Sequence, residues 1–220
     1  DKNGKILVEG WRNTNIPGSV RSAIAKLEVG EGENTPQINP FWGEPDMTPG
    51  ERVFASNTFE VRAFETGNPK SPANAIPPSA IVYGHLRYVV GTKVDQLMPL
   101  LRAHLDRHGF QDIEIISERD PMYATSLDPD HPWTQWAIAS LNKTNGENIS
   151  VLPNLGGSLP NDVFADVLGL PTIWVPHSYA GCSQHAPNEH ILEGTTRSAL
   201  RLMTGLWWDL GAGNTPKKAK

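Results

Sequence analysis

The sequence contains a single cysteine, Cys182, among 220 residues. No internal disulfide can form, and one thiol suits a reducing compartment such as the cytoplasm. Basic charge is also short: 19 Lys and Arg stand against 24 Asp and Glu, a formal charge of −5. A chain of pI about 5.8 lacks the positive field that nucleic acid or an anionic membrane surface requires. No apolar run approaches the ~20 residues of a membrane-spanning helix. The amino terminus, DKNGKILVEGW, has neither an initiator Met nor a signal-peptide core. It opens on a turn-like Asp-Lys-Asn-Gly and runs directly into a strand-like stretch, so a further segment is expected upstream.

What is present supports a folded core. At 38% hydrophobic and 20% charged, the composition is that of an ordinary globular chain. Its length allows one large or two small domains. Residues 1–50 are rich in Gly, Pro and Asn, with one short helix expected at Ser19–Leu27. Beyond them, Thr58–Thr66 and Ala80–Val90 read as strands by β-branched and aromatic content, separated by the Pro-rich loop GNPKSPANAIPPS. Alternation along the second strand puts Val82, Leu86, Tyr88 and Val90 on a core face. His85 and Arg87 fall on the other face. Val94, Leu97, Met98, Leu101 and Leu105 then recur at helical spacing over Asp95–His108, and Gly109 follows as a stop. Asp112–Glu118 reads as a strand. Together these make most of a ferredoxin-like α+β unit, short of one strand and helix.

After the linker at residues 119–132 the texture changes. Helices are expected at His131–Asn145, Leu159–Leu168 and Asn188–Leu210, and strands at Ile149–Leu152 and Pro171–Pro176. Alternating helix and strand indicates a layered α/β unit, though two strands do not complete a sheet. The domains expected are 1–120, 121–212 and a disordered tail at 213–220.

Four stretches carry residue types that could do chemistry. SQHAPNEH (183–190) follows a buried strand and precedes a helix, where ligands of α/β sheets gather. Asn188 suits a helix N-cap and Glu189 the positive helix terminus, which would leave His190 in the first turn. The two histidines read either as solvated neighbours of a cap or as a metal ligand delivered on a rigid loop. A mononuclear zinc site from His177, His185 and His190 is a further alternative. In LGGSLPND (155–162) the glycines allow close backbone approach and Ser158 can donate to an anion at a helix start. The plainer reading is a strand-to-helix turn capped by Ser158 or Asn161. Arg87, off the core face, could grip a carboxylate with both arms of its guanidinium, or simply face solvent. Cys182 lacks an orienting partner for nucleophilic chemistry and reads as packing.

Taken together, these stretches resemble one family. ANAIPPSAIVYGHLRYVVGTKVDQLMPLLRAHLDRHGF resembles the lid-domain stretch of the aminoacylase, carnosinase, carboxypeptidase G and acetylornithine deacetylase family of two-zinc metallopeptidases. The shared marks are an Asn-x-Ile-Pro step, a strand ending in arginine, and a helix ending near HL-x-x-HGF. GGSLPNDVFADVLGLPTIWVPHSYAGCSQHAPNEHI is similar to that family's carboxy-terminal GGS-x-P and H-x-x-NE segment. The resemblance covers roughly residues 50–210 and implies an α/β fold. A ferredoxin-like lid domain, incomplete here, would pair two subunits, and the end of a layered catalytic domain would follow. His185 would then be a ligand to one of two bridged zinc ions, with cobalt or manganese as substitutes. Arg87 and Asn74 would hold the substrate carboxylate or polarise the scissile carbonyl, and Gly157 and Ser158 would line the pocket. The reaction implied is metal-assisted hydrolysis of the amide of a dipeptide or N-acyl amino acid, with a glutamate as general base.

The family's H-x-D in suitable surroundings, its bridging aspartate and its E-E pair are not found in this sequence. No catalytic residue is therefore assigned within it. The amino-terminal half of the same enzyme is expected as a partner, with a homodimer formed through the lid. A non-catalytic dimerising or ligand-binding module is the alternative.

Overall fold

A computed structural model of the chain describes residues 1–27, 29, 39–117, 121–155, 157, 159–213 and 215–216. The elements are α1 (Gly18–Ile24), α2 (Pro49–Phe54), β1 (Thr58–Thr66), β2 (Ala80–Arg87), α3 (Leu97–Arg107), α4 (Pro132–Asn145) and α5 (Glu193–Gly211). Residues 118–120, 214 and 217–220, parts of an expected strand, linker and tail, lie outside the described residues.

The β1–β2 ribbon is antiparallel, pairing Thr58 with Arg87 at one end and Thr66 with Ala80 at the other. A bulge between Val61 and Ala63 shifts the alternation so that Phe59, Val61 and Phe64 share the face of Leu86, Gly84 and Val82. The Arg87 end of that face is covered. There Ile6, Trp11 and Leu97 form a buried cluster with Val8, Leu86, Tyr88, Val94, Leu100 and Leu101 around it. The Trp11 ring tilts against Phe59 at 5.5 Å, and its Nε1 donates to the Leu97 carbonyl at 2.9 Å. A 3-10 turn at Val94–Gln96 leads into α3, which places Pro99 in the first turn of the helix, where a missing N–H costs least.

Asn57, buried to 5% exposure, ties these parts together. Its amide nitrogen donates to Trp11 O at 2.8 Å and Thr92 Oγ1 at 3.0 Å, and its oxygen accepts from Val89 N at 2.9 Å. One side chain thus fixes the amino-terminal segment, the start of β1 and the turn after β2.

A second cluster, Ile16, Ile24 and Ala55, joins α1 to α2. Helix α2 was not expected from the sequence. It carries a capping box in which Thr48 Oγ1 accepts from Glu51 N and Glu51 Oε2 accepts from Thr48 N, with Pro49 at the first position.

Helices α4 and α5 pack against each other. The α4 start lies within one residue of its expected place, with His131 as N-cap accepting from Trp133 N at 3.2 Å. A Cβ on Gly205 would sit 2.2 Å from Thr144 Oγ1, so the crossing requires glycine there. Asp209 of α5 accepts from Ser140 Oγ at 2.8 Å and Lys143 Nζ at 2.7 Å. These bonds, that from Lys143 foremost, hold its carboxyl below the ordinary value.

Three expected strands do not form ladders. Residues 112–117, 149–152 and 171–176 carry no sheet pairing, and β1–β2 is the sheet present among the described residues. A strand needs a neighbouring strand for its N–H and C=O groups, and among the described residues these segments have none. The same openness appears in the surface. The chain exposes 16336 Å², whereas a compact chain of 24.1 kDa exposes about 10,000 Å². Val61, Phe64 and Val82 on the ribbon, and Leu200, Trp207 and Trp208 on α5, all stay more than half exposed. No helix among the described residues is long and apolar enough to cross a membrane.

Candidate functional site

The loop from Tyr179 to His190 is built of tight turns. A 3-10 turn, Ala180–Cys182, closes with Cys182 N donating to Tyr179 O at 3.1 Å. Ala186 N then donates to Ser183 O at 2.9 Å, and Glu189 N to Ala186 O at 3.3 Å. Such tight reversals force positive φ at Ser183 (57°), His185 (62°) and Asn188 (63°), the three non-glycine residues of that kind among those described. Each costs roughly 1–2 kcal/mol for an L-residue, less for Asn. Strain of this kind persists where surrounding bonds over-determine the backbone, and it gathers at working sites.

The bonds that over-determine it are specific. His185 N donates to Glu189 Oε2 at 3.2 Å, closing the Pro-Asn-Glu step onto the histidine before it. His190 N donates to Cys182 O at 3.0 Å, and its ring Nδ1 lies 2.8 Å from the Asn188 carbonyl. The ring also meets Tyr179 edge-on at 6.1 Å. Cys182, within the loop, is buried. The His185 ring is exposed, held out on a pinned backbone.

This corrects the expected roles of the flanking residues. Helix α5 begins at Glu193, with Leu192 as N-cap and no side-chain cap. Asn188 is not a cap, because a cap residue needs extended backbone and Asn188 is left-handed. His190 lies outside the helix and bonds back into the loop. A hollow of about 370 Å³ is lined by His177, Tyr179, Cys182, Glu189 and His190 among others, and His185 is not one of its walls. Among the described residues no three of His, Cys, Asp and Glu converge as a metal-binding group. The three-histidine zinc site from His177, His185 and His190 is therefore not formed.

The glycine-rich stretch lies close by in sequence but is only partly described. Ser158 and Gly156 lie outside the described residues. A Cβ on Gly157 would meet the Trp174 ring at 3.1 Å, so this glycine brings the turn against the PTIWVP segment. The helix expected at Leu159–Leu168 is a single α turn at residues 161–162 followed by a π turn, Val163–Val167. Leu170 N donates to Phe164 O at 2.9 Å past Gly169, which ends the turn where expected. So short a helix offers little dipole for an anion. Trp174 as the wall facing Gly157 was missed. A tryptophan inside an apolar run looks like core from sequence alone.

Arg87 is the last residue of β2, exposed, on the face that also carries His85 opposite Glu60. Asn74 lies in the loop that joins β1 to β2 at the opposite end of the ribbon. Strand β2 spans roughly 23 Å from Ala80 to Arg87 at about 3.3 Å per residue. The structure therefore does not bring Asn74 and Arg87 together on one small group. Tyr88, next to Arg87, donates its hydroxyl to the Met122 carbonyl. Burial first, then Tyr123 and Asp162, push that phenol above its ordinary pKa.

No family model and no curated protein matches the chain. Solved structures do. An M20 family metallo-carboxypeptidase, Sso-CP2 from Sulfolobus solfataricus, matches with TM-score 0.70 and 22% identity over 93% of this chain and 48% of its own. The di-peptidase Dug1p from Saccharomyces cerevisiae gives TM-score 0.71 and 18% identity over 93% of this chain and 45% of its own. Human carnosine dipeptidase 1 gives TM-score 0.67 and 14% identity over 96% and 46%. The chain spans less than half the length of each structure that it matches, and its fold is that of part of each of them.

Proposed function

We propose that this chain belongs to the M20 metallopeptidases and forms the carboxy-terminal portion of a metal-dependent hydrolase. Its substrate would be a small amide: a dipeptide or an N-acyl amino acid. The observation that carries this reading is the fold likeness over nearly the whole chain, on which H-A-P-N-E sits as the strained loop. The large uncovered surface and the open apolar faces of the ribbon and α5 support a polypeptide complement that supplies the rest of the fold.

The residues at hand fit one ligand of a metal centre, not a set. His185 is exposed on a backbone pinned by Glu189, as a ligand delivered to a shared site would be. The remaining ligands and the general base would come from the complement. When bound, a pair of divalent ions, zinc first and cobalt or manganese as substitutes, supplies Lewis acidity for carbonyl polarisation and water activation. The chain's own residues bind and orient. Arg87 offers a planar fork to a substrate carboxylate, and Asn74, at the far end of β2, would take the separate task of holding the scissile carbonyl. Gly157 keeps the pocket wall low beside Trp174, and Ser158 would contact substrate. The open edges of the two-stranded ribbon support pairing of two copies through this lid, and a cytoplasmic setting fits the single thiol.

A second reading has one observation in its favour: no three metal-binding side chains converge among the described residues. A dimerising or ligand-binding module without catalysis would look the same. Arg87→Lys separates the two readings. In the hydrolase it lowers kcat/KM for substrates with a free carboxylate, because a point charge cannot replace a bidentate fork. An undetectable hydrolysis rate in the wild-type protein together with its copurifying chains supports the module instead.

A further inference from the structure

We propose that the carboxy-terminal end of α3 is a divalent transition-metal site formed by His104 and the C-cap residue His108, with Cu²⁺ preferred to Zn²⁺. The two histidines are four apart on one helix and stack their rings on the same face, centroids 4.4 Å apart and planes tilted by 50°. A metal–nitrogen bond of about 2.0 Å puts each ring centre about 3.2 Å from a shared ion. At the ~90° angle of a tetragonal site the centres then lie about 4.5 Å apart, and at the tetrahedral angle about 5.2 Å. The observed spacing fits the tetragonal case, which suits Cu²⁺, and the divalent affinity series favours the same ion.

The surroundings are suited to a cation. The pair sits at the carboxy-terminal end of the helix, where the dipole is negative. His104 Nδ1 is sheltered from solvent and has no hydrogen-bond partner among the described residues, and ligation would supply one. Glu9 of the amino-terminal segment stands beside the pair. Its carboxyl accepts from Arg107 of the same turn. Leu7, Leu105 and Phe110 wall the hollow in which the two rings lie. Both halves of the site are anchored by the Ile6–Trp11–Leu97 cluster. Since no third ligand of the His, Cys, Asp or Glu type converges among the described residues, solvent completes the coordination.

Histidine side-chain NMR signals followed during addition of Cu²⁺ alone, with glycine as a competing chelator, test this. The His104 and His108 signals broaden together at the first substoichiometric additions. His108→Ala and His108→Gln, at an exposed position, each weaken the site at least tenfold and leave the His104 signal sharp. Because the ion staples one turn of α3, Ni²⁺ or Cu²⁺ raises the Tm of the wild-type protein and not of either variant. Another histidine broadening first, or an equal Tm rise in both variants, overturns the proposal.

Discussion

Replacing Asn57 with alanine removes the side chain that joins three backbone segments, and its cost can be worked out group by group. The Trp11 carbonyl loses its 2.8 Å donor and Val89 N–H loses its 2.9 Å acceptor. Trp11 is buried to 3% exposure, so water cannot readily replace the lost donor. An unsatisfied buried backbone group costs about 1–3 kcal/mol. Taking about 2 for the Trp11 carbonyl and about 1 for the half-buried Val89 N–H gives roughly 3 kcal/mol. Thr92 can turn its hydroxyl outward and adds little. That loss changes the unfolding equilibrium by a factor of roughly 100–200 and lowers Tm by about 6–12 °C for a chain of this size. Urea unfolding followed by far-UV circular dichroism reads it directly. Asn57→Asp retains the acceptor for Val89 but turns an oxygen toward the Trp11 carbonyl, so it should be no milder. A loss below about 1 kcal/mol in Asn57→Ala would mean that water reaches both groups, and the hub assignment would fail.

Two other perturbations follow from the geometry. Asn188→Val places a β-branched residue at φ 63° and costs about 1–2 kcal/mol locally, so exchange of the His190 amide should quicken roughly 5- to 30-fold. Asn188→Gly should leave that rate unchanged, and equal rates in both variants would show that the left-handed turn carries no strain. Asp209 bears on stability through pH. Its carboxyl is lowered in the folded chain by Lys143 and then Ser140, so its contribution is present above the unfolded value of about 3.9 and is lost as pH falls through the lower folded value. The urea midpoint of Asp209→Asn should therefore lie below wild type at neutral pH, with the gap closing below about pH 4. A gap that stays constant to pH 2 would refute the ion-pair role.

The elements readable in the sequence are those whose causes are local. β1 appears at its expected bounds, Thr58–Thr66, because β-branched and aromatic residues lie between turn-forming ones. Helix α4 follows from its His-Pro start and Gly146 stop, and the inward face of α5 from Ala199, Leu202, Met203 and Leu206. The Thr48-Pro-Gly-Glu box was equally local and was overlooked, since it lies in a stretch dominated by Gly and Pro. Strands at residues 112–117, 149–152 and 171–176 failed for a different reason. A strand is completed by a distant partner, and sequence pattern records only its own half of the pairing. The left-handed backbone at Ser183, His185 and Asn188 was invisible as well. Asn188 fits a cap and a left-handed turn equally well by propensity, and only the bond from His185 N to Glu189 and the contact of the His190 ring with the Asn188 carbonyl decide between them. At the candidate site, His185 was identifiable as a residue on a constrained loop. The separation of Asn74 from Arg87 along β2 required the register.

Metal content and amide hydrolysis of the wild-type protein and of His185→Ala, measured on the same preparations with any polypeptide that copurifies, test the central proposal most directly. The expected result is divalent metal and hydrolysis of dipeptides or N-acyl amino acids in the wild-type preparation, with one metal equivalent and the activity lost together in His185→Ala. Hydrolysis that survives unchanged in His185→Ala, or a wild-type preparation that hydrolyses no such amide with zinc, cobalt or manganese supplied, would contradict it.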